Sequence, residues 1–256
     1  MKNKKTKYND GKFKELEYFL KGLRWPIFKL LNYKSKPIFH CPICGYYGPF
    51  MDKKNRLHSK CPRCGEVERM RLSVLVLNSI YNKVDTSKMN VLHISPENAL
   101  RKKFKMMFGS YTSADLYRKD VDYQFDVQNI PFENETFDLV FASHVLEYPE
   151  DDVLAISEIR RVLKNDGIAV LPVPILHEET KDLATRNVTN RMMHEPGLDY
   201  FDRFKKFFTS VEIFDSDSFE EKYNLKTIIS KDETELNIYE SRVLNLVPVC
   251  RAKKHK

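Results

Sequence analysis

From residue 67 onward, short runs of apolar residues alternate with stretches in which apolar residues recur every three or four positions. A continuous apolar run indicates a strand that is buried on both faces, and the longer spacing indicates a helix that is buried on one face. Alternation of the two predicts a doubly wound, mostly parallel α/β sheet. The predicted strands cover residues 91–94, 111–114, 122–125, 137–142, 168–173, 211–214 and 246–251. The predicted helices cover residues 66–81, 95–108, 151–163 and 199–208.

Polar residues stand where several of these strands end. Asp115 ends the second strand, Asp126 ends the third, and Ser143 and His144 end the fourth. In open α/β sheets, ligands bind outside the carboxyl ends of the strands. The pattern therefore predicts one site around Asp126, Ser143 and His144. Each acid alone could also be an ordinary strand-end residue, and Ser143 could be a helix cap.

Three connections between the elements have distinctive sequences. Ser95-Pro96-Glu97 predicts a helix start, with serine as the N-cap, proline in the first helical position and an acid in the first turn. Residues 165–167 predict a turn in which Gly167 is available for positive φ. Residues 174–197 have no clean period and are long for a connection, so they are a candidate substrate lid.

Two Cys-x-x-Cys pairs precede the sheet region. Cys41 and Cys44 form the first pair, and Cys61 and Cys64 form the second, sixteen residues further on. Zinc prefers four thiolates in a tetrahedral array. Gly45 and Gly65 follow the two pairs, where the chain must turn back with positive φ. The spacing predicts a closed structural zinc site, and the alternative is four free thiols. The fifth cysteine, Cys250, lies in a predicted buried strand.

The N-terminal arm is basic and amphipathic. Residues 1–40 contain 11 Lys/Arg and 3 Asp/Glu, whereas the net charge of the whole chain is +7. Apolar residues recur at near-helical spacing over residues 13–31, and Pro26 predicts two short helices rather than one. A weak anionic partner, either a membrane surface or nucleic acid, would fit this arm. Packing against the main domain is the alternative.

Composition excludes several protein classes. A hydrophobic content of 42% and an aromatic content of 12% argue against wholesale disorder. No stretch approaches the roughly 20 apolar residues of a transmembrane segment, and Lys21, Arg24 and Lys29 interrupt any signal-peptide core. We therefore expect a cytoplasmic protein, in which five cysteines indicate metal binding or free thiols rather than disulfides.

The order and spacing of several motifs resemble those of the class I S-adenosylmethionine-dependent methyltransferases. The resemblance covers roughly residues 40–175 and is carried by the segments Val91-Leu92-His93-Ile94, Ala114-Asp115-Leu116, Asp126-Val127, Ile130-Pro131-Phe132, Phe137-Asp138, Ser143-His144-Val145-Leu146-Glu147 and Arg161-Val162-Leu163-Lys164-Asn165-Asp166-Gly167. A bacterial subgroup with an N-terminal Cys-Pro-x-Cys-Gly module is similar in Cys61-Pro62-Arg63-Cys64-Gly65, Glu68-Arg69 and Leu92-His93-Ile94-Ser95-Pro96-Glu97.

The resemblance implies a seven-stranded sheet with an antiparallel final strand and S-adenosylmethionine bound across its switch point. By position, Asp115 would accept hydrogen bonds from the ribose hydroxyls, and Asp126 with Val127 would contact adenine. Ser143 and His144 would lie near the methionine portion and the sulfonium. Taken together, these features predict three parts: a basic amphipathic helical arm (1–39), a zinc-ribbon-like module (40–66) and a methyltransferase-like domain (67–256).

The first strand and its loop depart from the common pattern of that family. His93 stands where an acid is usual, and the loop from Ser95 to Asn98 contains no glycine. Because the similar subgroup shares this pattern, we interpret His93, Ser95 and Glu97 as part of a variant cofactor site, in which the helix start presents backbone N–H groups to the ligand carboxylate. His93 could also be a satisfied core histidine.

Two functional hypotheses follow. The first is an S-adenosylmethionine-dependent methyltransferase with an unknown methyl acceptor. His144 is the first candidate for its general base, and His177 or His194 of the lid region is the next. Glu147 is expected to make structural contacts. The second is a catalytically silent, zinc-containing protein that binds nucleic acid or a protein on a methyltransferase scaffold, which the glycine-free loop and the basic arm motivate.

Overall fold

The N-terminal part of the chain forms a helix and a small module of short strands. The computed structural model describes residues 22–229 and 245–252, and helix α1 covers residues 22–32. The module contains β1 (Phe39–His40), β2 (Tyr47–Gly48), β3 (Met51–Lys53) and β4 (Arg56–Lys60). β1 pairs with β2 and β3 pairs with β4, both antiparallel. Helix α2 (Glu68–Tyr81) leads from the module into the sheet region.

A seven-stranded sheet forms the centre of the molecule. The remaining strands are β5 (Asn90–Ile94), β6 (Ser110–Asp115), β7 (Tyr123–Gln124), β8 (Phe137–Ala142), β9 (Leu163–Val170), β10 (Lys181–Asp182), β11 (His194–Glu195), β12 (Ser210–Phe214), β13 (Ile228–Ile229) and β14 (Val247–Arg251). The sheet order is β12-β14-β9-β8-β5-β6-β7, and β14 alone runs antiparallel to the other six. The predicted doubly wound, mostly parallel seven-stranded fold is confirmed.

Helices cover both faces of the sheet. The further helices are α3 (Asn98–Met107), α4 (Asp152–Val162) and α5 (Phe201–Lys205), with short 3₁₀ helices at Leu198–Tyr200, Ser216–Ser218 and Glu221–Tyr223. Leu77 of α2 and Phe104 of α3 belong to one buried cluster, and Ile159 of α4 and Phe204 of α5 belong to the other. Strand side chains alternate between the two clusters, as a sheet covered on both faces requires. None of the helices in the described residues is long and apolar enough to span a bilayer.

The cysteine-bearing module packs on the same core as α2 and α3. Tyr46 and Phe50 are buried in that cluster. The fully buried guanidinium of Arg71 donates to the carbonyls of Ser59 and Glu66 in and next to the module, and to that of Tyr223 beyond β12. β13 also pairs with β4. One buried cation therefore ties three parts of the chain together.

The start of α3 differs from the prediction. Ser95 was expected to be the N-cap, but the helix begins at Asn98 and Glu97 is its N-cap. Ser95 has a φ of 53°, in the left-handed region, whereas an N-cap residue has extended geometry. Ser95 and Pro96 therefore belong to a loop that precedes the helix.

The predicted turn at residues 165–167 lies inside β9. The pairing of β8 with β9 runs from Phe137 opposite Leu163 to Leu139 opposite Ile168, so the extra residues form a bulge rather than a turn. Gly167 does not have a positive φ. Instead it allows a close approach, because a Cβ there would lie 2.8 Å from Cγ of Leu163.

Helix α1 also differs from the prediction. Residues 22–32 form one helical stretch that continues through Pro26, so the predicted break at the proline is wrong over the described residues. The part of the predicted amphipathic segment before residue 22 lies outside the residues that the structure describes.

Candidate functional site

The sheet has its topological switch point between β5 and β8. From β5 the chain passes to β6 and β7 on one side, and β8 then returns to the other side of β5. Ligands of doubly wound sheets bind in the crevice outside the carboxyl ends at such a point. Ser95 follows β5, Asp115 ends β6 and Ser143 follows β8. The structure thus brings these predicted residues to one edge of the sheet.

The loop after β5 makes its sharp turn without glycine. Ser95 has a φ of 53°, and its N–H donates to the carbonyl of Ala114 on β6 at 2.7 Å. A residue with a Cβ pays roughly 1–2 kcal/mol for this left-handed geometry. The loop therefore reaches, with serine, the type of conformation for which glycine is the usual choice.

His93 lies behind that loop rather than in the crevice. Its imidazole is completely buried, with Phe104 and Phe141 ring centroids 5.0 and 5.1 Å away. Nε2 lies 3.1 Å from Oε2 of Glu97, and Nδ1 lies 3.1 Å from the Tyr111 hydroxyl. Burial lowers the pKa of His93. A neutral ring can donate to the carboxylate and accept from the tyrosine, so His93 holds Glu97 at the start of α3.

Asp115, at the carboxyl end of β6, bonds the protein through one of its two carboxylate oxygens. Oδ1 accepts from the backbone N–H groups of Tyr117 and Arg118 at 2.8 and 2.9 Å. These two bonds fix the side-chain rotamer. Within the described residues no donor bonds Oδ2. A carboxylate oxygen held in this way can accept from a ligand hydroxyl.

Asp126 is held by a neighbour that sequence analysis did not single out. Its Oδ1 accepts from the backbone N–H of Gln128 at 2.9 Å, and both carboxylate oxygens lie 3.1 Å from the Gln128 side-chain amide nitrogen. Gln128 Oε1 in turn accepts from the N–H of Asp151, at the N-cap of α4. Gln128 therefore couples the Asp126 loop to α4. In the part of the chain that the structure describes, the N–H of Val127 has no hydrogen-bond partner.

Ser143 has a buried hydroxyl with no protein partner among the described residues. The residue is 5% exposed, and Oγ makes no hydrogen bond. A buried polar atom without a partner costs roughly 1–3 kcal/mol. Such an atom at a strand end beside the switch point is suited to contact a bound ligand.

His144 and Glu147 form a close pair next to Ser143. His144 has a φ of 55°, and its N–H donates to the carbonyl of Pro172, which follows β9. Its Nδ1 lies 3.3 Å from Oε1 of Glu147, whose side chain is fully buried. At this distance the carboxylate is a close electrostatic neighbour of the imidazole ring.

Residues 174–197 contain the antiparallel pair β10 and β11 and are hydrogen-bonded to this region. The N–H groups of Met193 and His194 both donate to the carbonyl of Glu147, at 2.9 and 3.1 Å. His177 lies at the same segment, with Nε2 2.9 Å from Oε2 of Glu195. The candidate lid is therefore hydrogen-bonded to the residue that contacts His144.

A charged cleft of about 480 Å³ lies between this segment and α4. His194 is 6% exposed, with Nδ1 2.7 Å from Asp182 and Nε2 3.1 Å from the carbonyl of Pro149. Arg203 bonds both Asp182 and Asp152. Both nitrogens of His194 face acceptors, so these charged groups link the lid to the start of α4 and to α5.

The four cysteines of the module converge on one point. Their sulfur atoms lie within 4.8 Å of one another, with Cys41 to Cys64 and Cys44 to Cys61 each at 3.7 Å. A tetrahedral site with Zn–S bonds of about 2.3 Å requires sulfur separations of roughly 3.8 Å. The geometry fits a tetrahedral metal ion.

Two related turns build this cluster. The N–H groups of Gly45 and Gly65 donate to the carbonyls of Cys41 and Cys61 at 2.9 Å, and both glycines have positive φ. The positive φ that the sequence predicted at these positions is confirmed.

Comparison with known families adds independent information. Residues 82–171 match a methyltransferase domain. The match spans β5 to β9 and therefore includes the whole switch point, and it supports a methyltransferase. A comparison with curated proteins finds no match.

Several solved structures have a similar arrangement of elements. One is an S-adenosylmethionine-dependent methyltransferase from Thermotoga maritima, with 13% identity, coverage of 73% of this chain and 98% of that chain, and a TM-score of 0.45. The CurJ carbon methyltransferase has 14% identity, coverage of 73% and 54%, and a TM-score of 0.47. The methyltransferase domain of the citrinin polyketide synthase has 10% identity, coverage of 77% and 55%, and a TM-score of 0.47. With identities of 10–14% and TM-scores below 0.5, these structures do not indicate the function of this chain.

Proposed function

We propose that the chain is an S-adenosylmethionine-dependent methyltransferase that binds its cofactor across the switch point between β5 and β8. The observation that carries the proposal is a set of three polar groups at this edge that have no hydrogen-bond partner among the residues that the structure describes: Oδ2 of Asp115, the N–H of Val127 and Oγ of Ser143. They follow three different strands and lie within the segment that matches a methyltransferase domain. This donor and acceptor set fits a nucleoside attached to an amino acid.

We assign each group a part of the cofactor. Asp115 accepts from the ribose hydroxyls, since a carboxylate can accept from two adjacent hydroxyls. Asp126 accepts from the adenine amino group and the N–H of Val127 donates to the ring. Ser143 and the loop at Ser95 contact the methionine portion. His93 acts through Glu97, which it holds at the start of α3.

S-adenosylmethionine supplies a methyl group that is activated by a sulfonium. The protein has to align the acceptor with that group and exclude water from it. We assign His144 as the general base for acceptors that lose a proton, with Glu147 as the residue that orients it. A neutral imidazole whose Nδ1–H faces a carboxylate carries its basic lone pair on Nε2.

The acceptor binds, in this proposal, beneath the segment 174–197. That segment is attached to Glu147 through two backbone hydrogen bonds, so its position and the orientation of His144 are linked. The class of the acceptor stays open.

The cysteine cluster is proposed to hold a structural zinc ion. Four protein ligands leave no open coordination position, so the ion would stabilise the module rather than take part in chemistry. The division into an arm (1–39), a zinc module (40–66) and a methyltransferase domain (67–256) and the cytoplasmic location also stay predictions.

Calorimetric titration with S-adenosylmethionine tests the cofactor site. We expect binding by the wild-type protein, and binding at least about tenfold weaker in Asp115→Asn, because hydrogen bonds to charged groups contribute roughly 1.5–3 kcal/mol. The matched control is Asp138→Asn. Asp138 is a partly buried carboxylate at the amino end of β8, where it accepts from the N–H of Asn90, and its loss should leave the affinity unchanged.

No binding by folded wild-type protein would contradict the proposal, as would equal affinity in Asp115→Asn. The first result would favour the silent scaffold, and the second would show that Asp115 does not hold the cofactor. Thermal melting of all three proteins separates loss of binding from loss of folding.

A further inference from the structure

Helix α1 (residues 22–32) has two apolar faces, and one of them packs on the cysteine module. The Trp25 ring meets the Tyr46 ring edge-on, with centroids 5.8 Å apart, and the guanidinium of Arg63 lies 5.5 Å from the Trp25 ring. Lys29 lies over the Tyr46 ring at 5.8 Å. These contacts fix which side of the helix faces the protein.

The opposite side exposes an apolar stripe. Its members are spaced by four, three and one residues, so they lie on one face of a helix. Leu30 and Leu31 are 80% and 74% exposed, and Ile27 is 53% exposed. Leu23, at 38%, extends the stripe toward the start of the helix. Single exposed leucines are ordinary, but a contiguous stripe marks an interaction surface.

The stripe lies in a stretch of sequence that has cations and no acids, although Lys29 packs on the protein-facing side and Lys36 pairs with Asp52. Residues 22–40 contain Arg24, Lys29, Lys34 and Lys36, and no Asp or Glu. Over the whole of residues 1–40 there are 11 Lys/Arg and 3 Asp/Glu. Tyr33, at the end of the helix, is 46% exposed. An apolar face beside cationic and aromatic residues is the pattern of helices that lie in the interface of an anionic bilayer.

We propose that α1 docks this protein on an anionic membrane surface, with the stripe of Leu23, Ile27, Leu30 and Leu31 buried among the lipid headgroups. Arg24 and Lys34 would meet the negative charge of the lipids. Nucleic acid offers phosphate for the cations but leaves the leucines in water. A second copy of the same helix would cover the leucines but bring two acid-free, cationic segments together. A lipid surface satisfies both features.

Sedimentation with vesicles tests the proposal on the full chain. The probes are vesicles of phosphatidylcholine alone and of phosphatidylcholine with an equal amount of phosphatidylglycerol, each at low and at high ionic strength. We expect the wild-type protein to sediment with the anionic vesicles, and to do so less with neutral vesicles or at high salt.

The test variant is Leu30→Glu/Leu31→Glu. Both positions are exposed, so the variant should fold, and we expect its partitioning to fall at least about tenfold because two leucines are no longer buried in the interface. The matched control is Met106→Glu on α3, where an apolar side chain is also 80% exposed, and it should sediment like the wild type.

Three results would overturn the proposal. The first is a wild-type protein that stays in the supernatant with anionic vesicles. The second is a Leu30→Glu/Leu31→Glu variant that sediments as well as the wild type. The third is a wild-type protein that does not bind lipid but self-associates, with the self-association lost in the same variant. That result would assign the stripe to a second copy of the chain. Binding of S-adenosylmethionine should be the same in both variants, which separates this surface from the proposed cofactor site.

Discussion

Ser95 carries backbone strain at the centre of the proposed cofactor site. Its φ of 53° is unfavourable for a residue with a Cβ, and it stands in a loop where a glycine would adopt the geometry freely. The same loop ends at Glu97, whose side chain is held by the buried His93. The loop is thus shaped by two residues that replace the usual glycine-rich pattern.

The strain predicts that Ser95→Gly stabilises the protein. Relief of the left-handed cost exceeds the added entropy of glycine in the unfolded chain, so we expect a gain of about 0.5–1 kcal/mol in the free energy of unfolding by urea denaturation. Ser110→Gly, at an exposed position without positive φ, is the control and should lose stability. Equal losses in both variants would show that Ser95 is not strained.

His93 predicts a pH dependence of stability. Its pKa is lowered in the folded state by burial, so the unfolded chain takes up the proton more readily. The stability contributed by the neutral ring is therefore complete above the unfolded pKa of about 6.5 and declines as the pH falls below it. We therefore compare the free energy of unfolding at neutral and at mildly acidic pH. Acidification should lower it more in the wild type than in His93→Phe, by up to about 1.4 kcal/mol per pH unit.

The phenylalanine variant suits this comparison because Phe104 and Phe141 already surround the site. The two proteins share all other titrating groups. The same pH dependence in both would show that His93 does not resist protonation.

At the scale of elements, the cysteine module is joined to the sheet by shared burial. Cys41 and Cys61 are fully buried in the cluster that also contains residues of α2 and α3. Arg71 of α2 holds the carbonyls of Ser59 and Glu66. Loss of order in the module would therefore uncover a buried cation and one side of the core.

Removal of metal is expected to unfold the module. The purified protein should contain one zinc ion per chain, and chelation or Cys61→Ser should lower the melting temperature, because zinc binding supplies folding free energy. Cys250→Ala is the control: Cys250 is buried in β14, away from the cluster, and its loss should leave the zinc content unchanged. Thermal stability that persists without metal would contradict a structural site.

At the scale of the molecule, sequence patterns located the central strands well. The predicted strand 137–142 has the same bounds as β8, and its apolar run Leu139–Ala142 is buried, as expected for a strand covered on both faces. The same pattern placed Asp115 and Ser143 at the edge that the topology assigns to ligands. The positions of these strand ends could be inferred, since the apolar runs mark approximately where each strand stops.

Other parts of the molecule could not be inferred. β10 and β11 have two residues each, too few for any periodicity, and hydrogen bonds to Glu147 position them. Gln128 bonds Asp126 through its side chain, a contact that no spacing rule reveals. The bulge at residues 165–167 arises from the register of β8 and β9. Its sequence, Asn165-Asp166-Gly167, is also typical of a turn, so the sequence alone did not distinguish the two. Tertiary contacts decide all three.

The central claim is that S-adenosylmethionine occupies the switch point between β5 and β8. A crystal structure of the protein with S-adenosylmethionine bound tests this most directly. We predict the ribose hydroxyls on Asp115, adenine beside Asp126 and Val127, and the methionine portion at Ser143. A cofactor found elsewhere, for example in the charged cleft at Asp152 and His194, or crystals that contain none at saturating concentration, would contradict it.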